Sequence, residues 1–306
     1  MYTLPSGNGE HVFLQVQKIG ENTEFIARQL ARFANVRQRD IGFAGLKDRN
    51  AITTQWFSVW LPKGDEPKWE NFATESTQVL TVTRHARKLK RGVLANNRFV
   101  ITVKNWHGDK EETIERLNVL KKYGFPNYYG LQRFGYQGQN VQKAIEMFCG
   151  KKVGREQRSL YLSAVRSFLF NEILATRIKQ NCWNNGLEGD VLMIDGSHSF
   201  FVCEELNEEI RSRLAANLLH STGALFGTGV AKISGAALAL EQQVLQNFPE
   251  LTAGLIAFNV ENDRRALRVN ATNLTWEFLD SNTLILRFNL PAGSYATAML
   301  REIVKI

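Results

Sequence analysis

The stretch GLKDRNAITTQWF, residues 45 to 57, sets Asp48 between Lys47 and Arg49, just after a glycine-led entry and just before a β-branched, aromatic run. A carboxylate so placed can attack a carbon or take a proton while it stays ionised, and flanking cations that fold back on it would favour that form. Judged alone, the tripeptide reads as an exposed ion pair. A second constellation is NNRF, residues 96 to 99, where Asn97 can hydrogen-bond a base edge and Phe99 can stack on its face. By itself that tetrapeptide is a turn entering a strand. In NYYGLQRFG, 127 to 135, Tyr128, Tyr129 and Phe134 surround Gln132 and Arg133, which taken alone makes an aromatic corner of the core. PAGSYAT, 291 to 297, joins a strand to a helix, with Ser294 as the expected N-cap and Tyr295 expected in the core.

Other chemistries lack their signatures. There is no G-x-x-x-x-G-K-[ST], and GTGVAK at 227 to 232 begins like a dinucleotide fingerprint but fails at the third glycine. Five scattered histidines form no H-E-x-x-H, and SHS at 197 to 199 is not a G-x-S-x-G elbow. Cys149, Cys182 and Cys203 lie far apart with no C-x-x-C, which argues against a disulfide framework and a zinc site and fits a reducing cytoplasm. Neither a metal nor an organic cofactor is expected.

The charge distribution names a partner class. The net charge is +8 and the pI about 9.4. Ser76 to Gly108 contains seven Lys or Arg and no Asp or Glu, and five of the seven, Arg84, Arg87, Lys88, Lys90 and Arg91, crowd into RHARKLKR. KKVGREQR at 151 to 158 is a second basic cluster, while acids gather in DKEE (109 to 112) and EELNEE (204 to 209). Such segregation suits a polyanion, because each phosphate neutralised releases counterions. The five cations of RHARKLKR are the candidate RNA-backbone contacts. No apolar run approaches the ~20 residues that span a bilayer, and MYTLPSGNGE has no signal-peptide character.

The elements that must position these residues alternate in type along the chain. HVFLQVQK (11 to 18), TQWFSVWL, TQVLTVTR (77 to 84) and RFVITVK (98 to 104) have strand character, and the spacing predicts helices over TEFIARQLARF (23 to 33) and from Lys110 to Tyr123. From 124 to about 270 helical patterns dominate: VQKAIEMF, SAVRSFLFNEILATRIKQ, LNEEIRSRLAANLL and GAALALEQQVLQNF, with one β-like stretch, DVLMIDGSHSFFVC. Leu274, Trp276 and Phe278, then Leu284, Leu286, Phe288 and Leu290, alternate as in strands, and a last helix begins near Ser294. The expected class is α+β, a core interrupted by a mainly helical insertion.

Taken in order, G-L-K-D-R-N-A-I-T-T-Q, N-Y-Y-G-L-Q-R-F-G, L-S-A-V-R-S-F-L-F-N and P-A-G-S-Y-A-T closely resemble the TruD family of tRNA pseudouridine synthases over nearly the whole chain. The resemblance implies isomerisation of the uridine at position 13 of tRNA, without metal or cofactor, by a cytoplasmic monomer. It places the catalytic aspartate at Asp48, and matches Asn97 and Phe99 to the family's G-N-x-F, whose asparagine and aromatic contact the base. Tyr295 falls where the family has an aromatic, and Lys47, Arg49 and Arg133 stand as supporting residues. It implies a pseudouridine-synthase-type core with a mostly antiparallel sheet and flanking helices, made of 1–123 and 270–306, with 124–269 inserted. Asn96 replaces the family's glycine, a change tolerated where the position takes a left-handed backbone. The family's N-terminal P-E-D-F-like segment has no counterpart before MYTLPSGNGEH, as expected of a truncated chain. Asp48 would attack C1′ or remove the 2′ proton to give a glycal-type intermediate; the sequence favours neither. The rival expectation is a non-catalytic RNA-binding protein, or a truncated synthase that binds tRNA without turnover.

Overall fold

The computed structural model describes residues 5–62, 66–90, 92, 96–197 and 199–304, and the chain falls into two compact units, Met1–Asn97 and Arg98–Ile306. The first unit carries β1 (His11–Ile19), α1 (Thr23–Phe33), β2 (Ile41–Phe43), β3 (Ile52–Trp60) and β4 (Thr77–His85). Its strands pair antiparallel in the order β2-β3-β1-β4. Strand alternation sends Val12, Leu14, Val16 and Lys18 of β1 to one face, and all four are buried. Helix α1 covers the apolar part of that face with Ile26, Ala27, Leu30 and Ala31, the stripe its 3.6-residue period predicts. Lys18 is the exception in an otherwise apolar row.

Strand β5 (Asn96–Val103) carries the chain from the first unit into the second. Helix α2 (Lys110–Tyr123) starts at Asp109, whose side chain accepts the Glu112 N–H at 2.7 Å, and stops at Gly124, φ 72°, where a Cβ would meet the Val269 carbonyl at 2.6 Å. Next come β6 (Phe125–Pro126), α3 (Gln139–Phe148), α4 (Arg155–Lys179), β7 (Val191–Ile194), β8 (Phe200–Val202), α5 (Glu208–Ala215) and β9 (Leu219–Leu225). They are followed by α6 (Gly235–Leu245), α7 (Pro249–Ala257), β10 (Asp263–Ala266), β11 (Arg268–Val269), β12 (Thr272–Phe278), β13 (Leu284–Pro291) and α8 (Ala296–Arg301).

Two pairings organise this unit. β5 joins β13 in a three-stranded sheet, β12-β13-β5, and β6 pairs antiparallel with β11, so strands before and after the middle segment meet twice. Leu274, Leu284, Leu286, Phe288 and Leu290 face Leu117 and Leu120 of α2 and Met299 of α8 to form the core there. Between β6 and β11 the helices accompany an antiparallel sheet, β10-β9-β7-β8, larger than the single β-like stretch expected from sequence. LHSTGAL is buried almost throughout, so β9 shows no alternation, and DRRA becomes β10 only through pairing with it. Helix α5 stops before the end of the helical pattern LNEEIRSRLAANLL because Asn217 turns left-handed, φ 60°. At the last helix the expected Ser294 cap is not made: Tyr295 occupies the N-cap without a side-chain bond, and Ser294 is held in a turn by the Pro291 carbonyl at 3.2 Å. Among the described residues no helix is long and apolar enough to cross a membrane.

Candidate active site

In the first unit the loop between β2 and β3 presents Asp48, and its main chain is tied at successive points. Gln55 Nε2 donates to the Gly45 carbonyl (3.3 Å), the Lys47 N–H donates to Thr23 Oγ1 (3.0 Å), and Lys18 Nζ donates to the Asp48 carbonyl (2.9 Å). Thr23 Oγ1 in turn donates to Gln55 Oε1 at 3.3 Å, so the ties form one network. The Asp48 carboxylate is exposed and, among the described residues, takes no hydrogen bond or ion pair. Neither flanking cation folds back on it, contrary to the expectation for KDR: the Lys47 ammonium donates to Asn97 Oδ1, and Arg49 Nε donates to the Gly20 carbonyl at 3.2 Å. Each has found a neutral acceptor instead. The positive potential near Asp48 comes from Lys18 and Lys47, whose pKa values burial pushes down while the Asp48 charge opposes that shift.

Asn97 and Phe99 stand two residues apart on β5 and point to the same side as Ile101 and Val103. Phe99 stacks on Phe288 of β13 with centroids 5.3 Å apart and 22° between planes. Asn96 opens β5 in the extended conformation, which any residue adopts, so asparagine is accommodated in place of the family's glycine without a left-handed backbone.

In the second unit, Tyr295 belongs to a cluster of rings and guanidinium groups centred on Tyr129. The Tyr129 and Tyr295 centroids lie 5.7 Å apart, Tyr129 and Phe170 5.6 Å apart, both edge-on. The guanidinium of Arg265 sits 4.1 Å from the Tyr129 ring centre, and that of Arg133 5.2 Å from it. Arg133 Nε donates to Ser167 Oγ (3.0 Å), and Arg265 Nη2 donates to Asn127 Oδ1 (2.6 Å) and the Gly293 carbonyl (3.0 Å). Asn171 holds the Tyr129 peptide from both sides, accepting its N–H at 2.9 Å and donating to its carbonyl at 3.1 Å. Gly130 makes the approach of Tyr295 possible, because a Cβ there would lie 2.9 Å from its Cδ1. Burial pushes the Tyr295 phenol up, against the pull of Arg133 and Arg265, and pushes the Arg265 guanidinium down. Burial also lifts the neighbouring Tyr128 phenol to about 12, helped by Glu302 and Glu172.

The basic loop after β4 is anchored by Leu89, which is buried and whose N–H donates to Ser58 Oγ at 3.0 Å. Arg87, Lys88 and Lys90 are exposed around it, the Lys88 ammonium donating to the Arg39 carbonyl. Arg84 is different: it is ion-paired with Glu66 at 2.6 Å and donates to the Gly9 carbonyl at 2.9 Å, so its guanidinium is committed within the unit. Arg91 lies outside the described residues. Among the described residues no group of three His, Cys, Asp or Glu side chains is placed to hold a metal ion.

Sequence reasoning passed over Lys18, Thr23, Gln55 and Arg265. Lys18 had a signal, a lysine on the inward phase of the Val12, Leu14, Val16 alternation. Arg265 had none, because its place over Tyr129 depends on the packing of segments far apart in sequence.

The family model of tRNA pseudouridine synthase D (TruD) matches residues 2–145 and 136–303. The chain belongs to this family. A tRNA pseudouridine synthase D of Methylococcus capsulatus is 46% identical over 303 residues, covering 98% of this chain and 86% of the relative. One of Nitrosococcus oceani is 45% identical over 304 residues, covering 98% and 85%. The fold agrees with a crystal structure from Methanosarcina mazei, provisionally assigned as a tRNA pseudouridine synthase D, with TM-score 0.73 and 22% identity over 99% of this chain and 90% of that one. The family is one of isomerases, and the α+β architecture with antiparallel sheets is its fold.

Proposed function

We propose that this chain isomerises uridine to pseudouridine in tRNA, at position 13, with Asp48 as its catalytic carboxylate. The target nucleotide leaves its stack, as a base inside a stem must before its ribose can be reached. Asp48 acts at the ribose, by attack on C1′ or by taking the 2′ proton. The N1–C1′ bond breaks, the uracil turns, a C5–C1′ bond forms, the C5 proton leaves and N1 gains one. Asn97, Phe99 and Tyr295 are assigned to the base on their match to the family's motifs, and Lys47, Arg49 and Arg133 are assigned as supporting residues of the site. Arg87, Lys88 and Lys90 are assigned to RNA phosphates because they are exposed in an acid-free segment. Residues 124–269 are assigned as the inserted domain, a reading supported by β6 and β11 pairing at its two ends. A cytoplasmic monomer is the working state.

The observation that carries this reading is the Asp48 carboxylate itself, exposed and unpaired among the described residues on a loop whose main chain is held at residue after residue. The test is incubation with unmodified tRNA and mapping of pseudouridine by carbodiimide primer extension. Wild type is expected to give one strong stop, and Asp48→Asn to lose it by roughly 10³-fold or more at unchanged tRNA affinity. Equal product from both proteins would remove Asp48 as catalyst. No product from wild type, with tight binding, would make this a binding protein.

A further inference from the structure

A lysine with no exposed surface is costly, because its ammonium has left water. For stability alone a leucine or methionine at the end of the Val12, Leu14, Val16 row would serve better, since buried charges rarely repay their desolvation. Lys18 has one side-chain hydrogen bond among the described residues, and it goes to the main-chain carbonyl of Asp48 at 2.9 Å. A charged donor makes that bond stronger than a neutral one would. The Lys47 N–H is held from the other side by Thr23 Oγ1 at 3.0 Å. The two anchors therefore bracket a pair of residues, one of which bears the free carboxylate. Both anchors come from regular elements, Lys18 from β1, which is flanked by β3 and β4, and Thr23 from the first turn of α1.

We propose that Lys18, seconded by Thr23, is the positioning residue of Asp48: it fixes the peptide on the C-terminal side of the acid so that the carboxylate is aimed without being paired. The proposal rests on the reading of Asp48 as catalyst. It accounts for the absence of an ion pair to that carboxylate among the described residues. A cation bonded to the carboxylate oxygens would occupy the atoms that must react, whereas a cation bonded to the carbonyl holds the residue and leaves those oxygens free. Asp48 and Glu21 favour the charged ammonium and Lys47 opposes it, so the groups facing Lys18 are of both signs.

The test uses the whole chain. Lys18→Met keeps an unbranched side chain only one atom shorter and removes both donor and charge. It should raise hydrogen exchange across residues 45–51 by roughly tenfold with exchange elsewhere unchanged. It should lower the single-turnover rate on unmodified tRNA by roughly 30- to 100-fold and leave the tRNA Kd within about twofold. A role in packing alone would lower the melting temperature and affinity together and would not single out the rate. Thr23→Val removes the second anchor at constant shape and should show the same split. Thr23→Ser, which keeps the hydroxyl, should stay within about threefold of wild type. Turnover within about threefold of wild type in both Lys18→Met and Thr23→Val, or an unchanged loop exchange, would overturn the proposal while leaving Asp48 in place. A wild type without turnover, combined with a loop freed in Lys18→Met, would overturn the functional reading and leave the anchor standing.

Discussion

Arg264 and Arg265 leave β10 on opposite faces and enter unlike surroundings. Arg264 is buried and fully neutralised: its Nη2 and Nη1 meet Glu241 Oε1 and Oε2 at 2.6 and 3.2 Å, and its Nε donates to Thr222 Oγ1 at 2.7 Å. Glu241 also accepts the Ala224 N–H at 3.1 Å, so the pair binds α6 to β9 and β10. Arg265 meets no carboxylate among the described residues; its partners are an amide oxygen, main-chain carbonyls and the Tyr129 face, and its buried Nε has no acceptor. A charge cancelled where it stands is architecture. A charge held by neutral groups keeps its field for whatever arrives, and Lys18, bonded to a carbonyl beside Asp48, is held in the same manner.

The two arginines should differ most in what they contribute to stability. Glu241→Ala leaves Arg264 buried and uncompensated, which should cost about 3–5 kcal/mol in urea unfolding. Arg265→Met removes a charge that has no counter-ion among the described residues and leaves the Asn127 amide oxygen and the Asn127 and Gly293 carbonyls without this donor, for about 1–3 kcal/mol. Turnover of the folded Arg265→Met protein should fall, while that of Glu241→Ala, assayed below its melting temperature, should not. Equal losses of stability in the two variants would erase the distinction drawn between the two faces of β10.

That distinction also marks what could be read in advance. β1, α1, α2, β12 and β13 are set by local signals, alternation, a 3.6-residue stripe, or Asp109 before and Gly124 after a helix, and their bounds agree closely with the sequence pattern. β9 and β10 are set by each other: a uniformly buried run and a short polar run carry no periodicity until they pair. The site divides in the same way. Asp48 draws notice as an acid between two cations in a glycine-led loop, and Asn97 and Phe99 as an amide and an aromatic at the end of the acid-free stretch, but their assignment to the site comes with the resemblance to the family. The ring cluster that receives Tyr295 depends on Arg265, which no local pattern ties to Tyr129. The missed Ser294 cap has the same origin, since the turn from Pro291 moves the helix start one residue further along.

Tyr295 contributes through its ring rather than its hydroxyl. Its hydroxyl makes no side-chain hydrogen bond among the described residues, while its ring packs edge-on against Tyr129 and over Gly130. Tyr295→Phe keeps the ring and should cost less than about 1 kcal/mol, with turnover within about twofold of wild type; Tyr295→Ala, which empties the space beside Tyr129, should lose turnover. The phenol supplies a pH readout of the same burial. Burial raises the Tyr295 pKa in the folded chain, so an unfolded chain, ionising near the ordinary ~10, releases its proton first as pH rises. Wild type should therefore lose stability above pH ~10 relative to Tyr295→Phe, with the gap constant below that value. A gap that stays flat through pH ~11 would mean that Arg133 and Arg265 stabilise the phenolate enough to cancel the burial, and the two guanidinium groups would then be spent on Tyr295 rather than kept for a ligand.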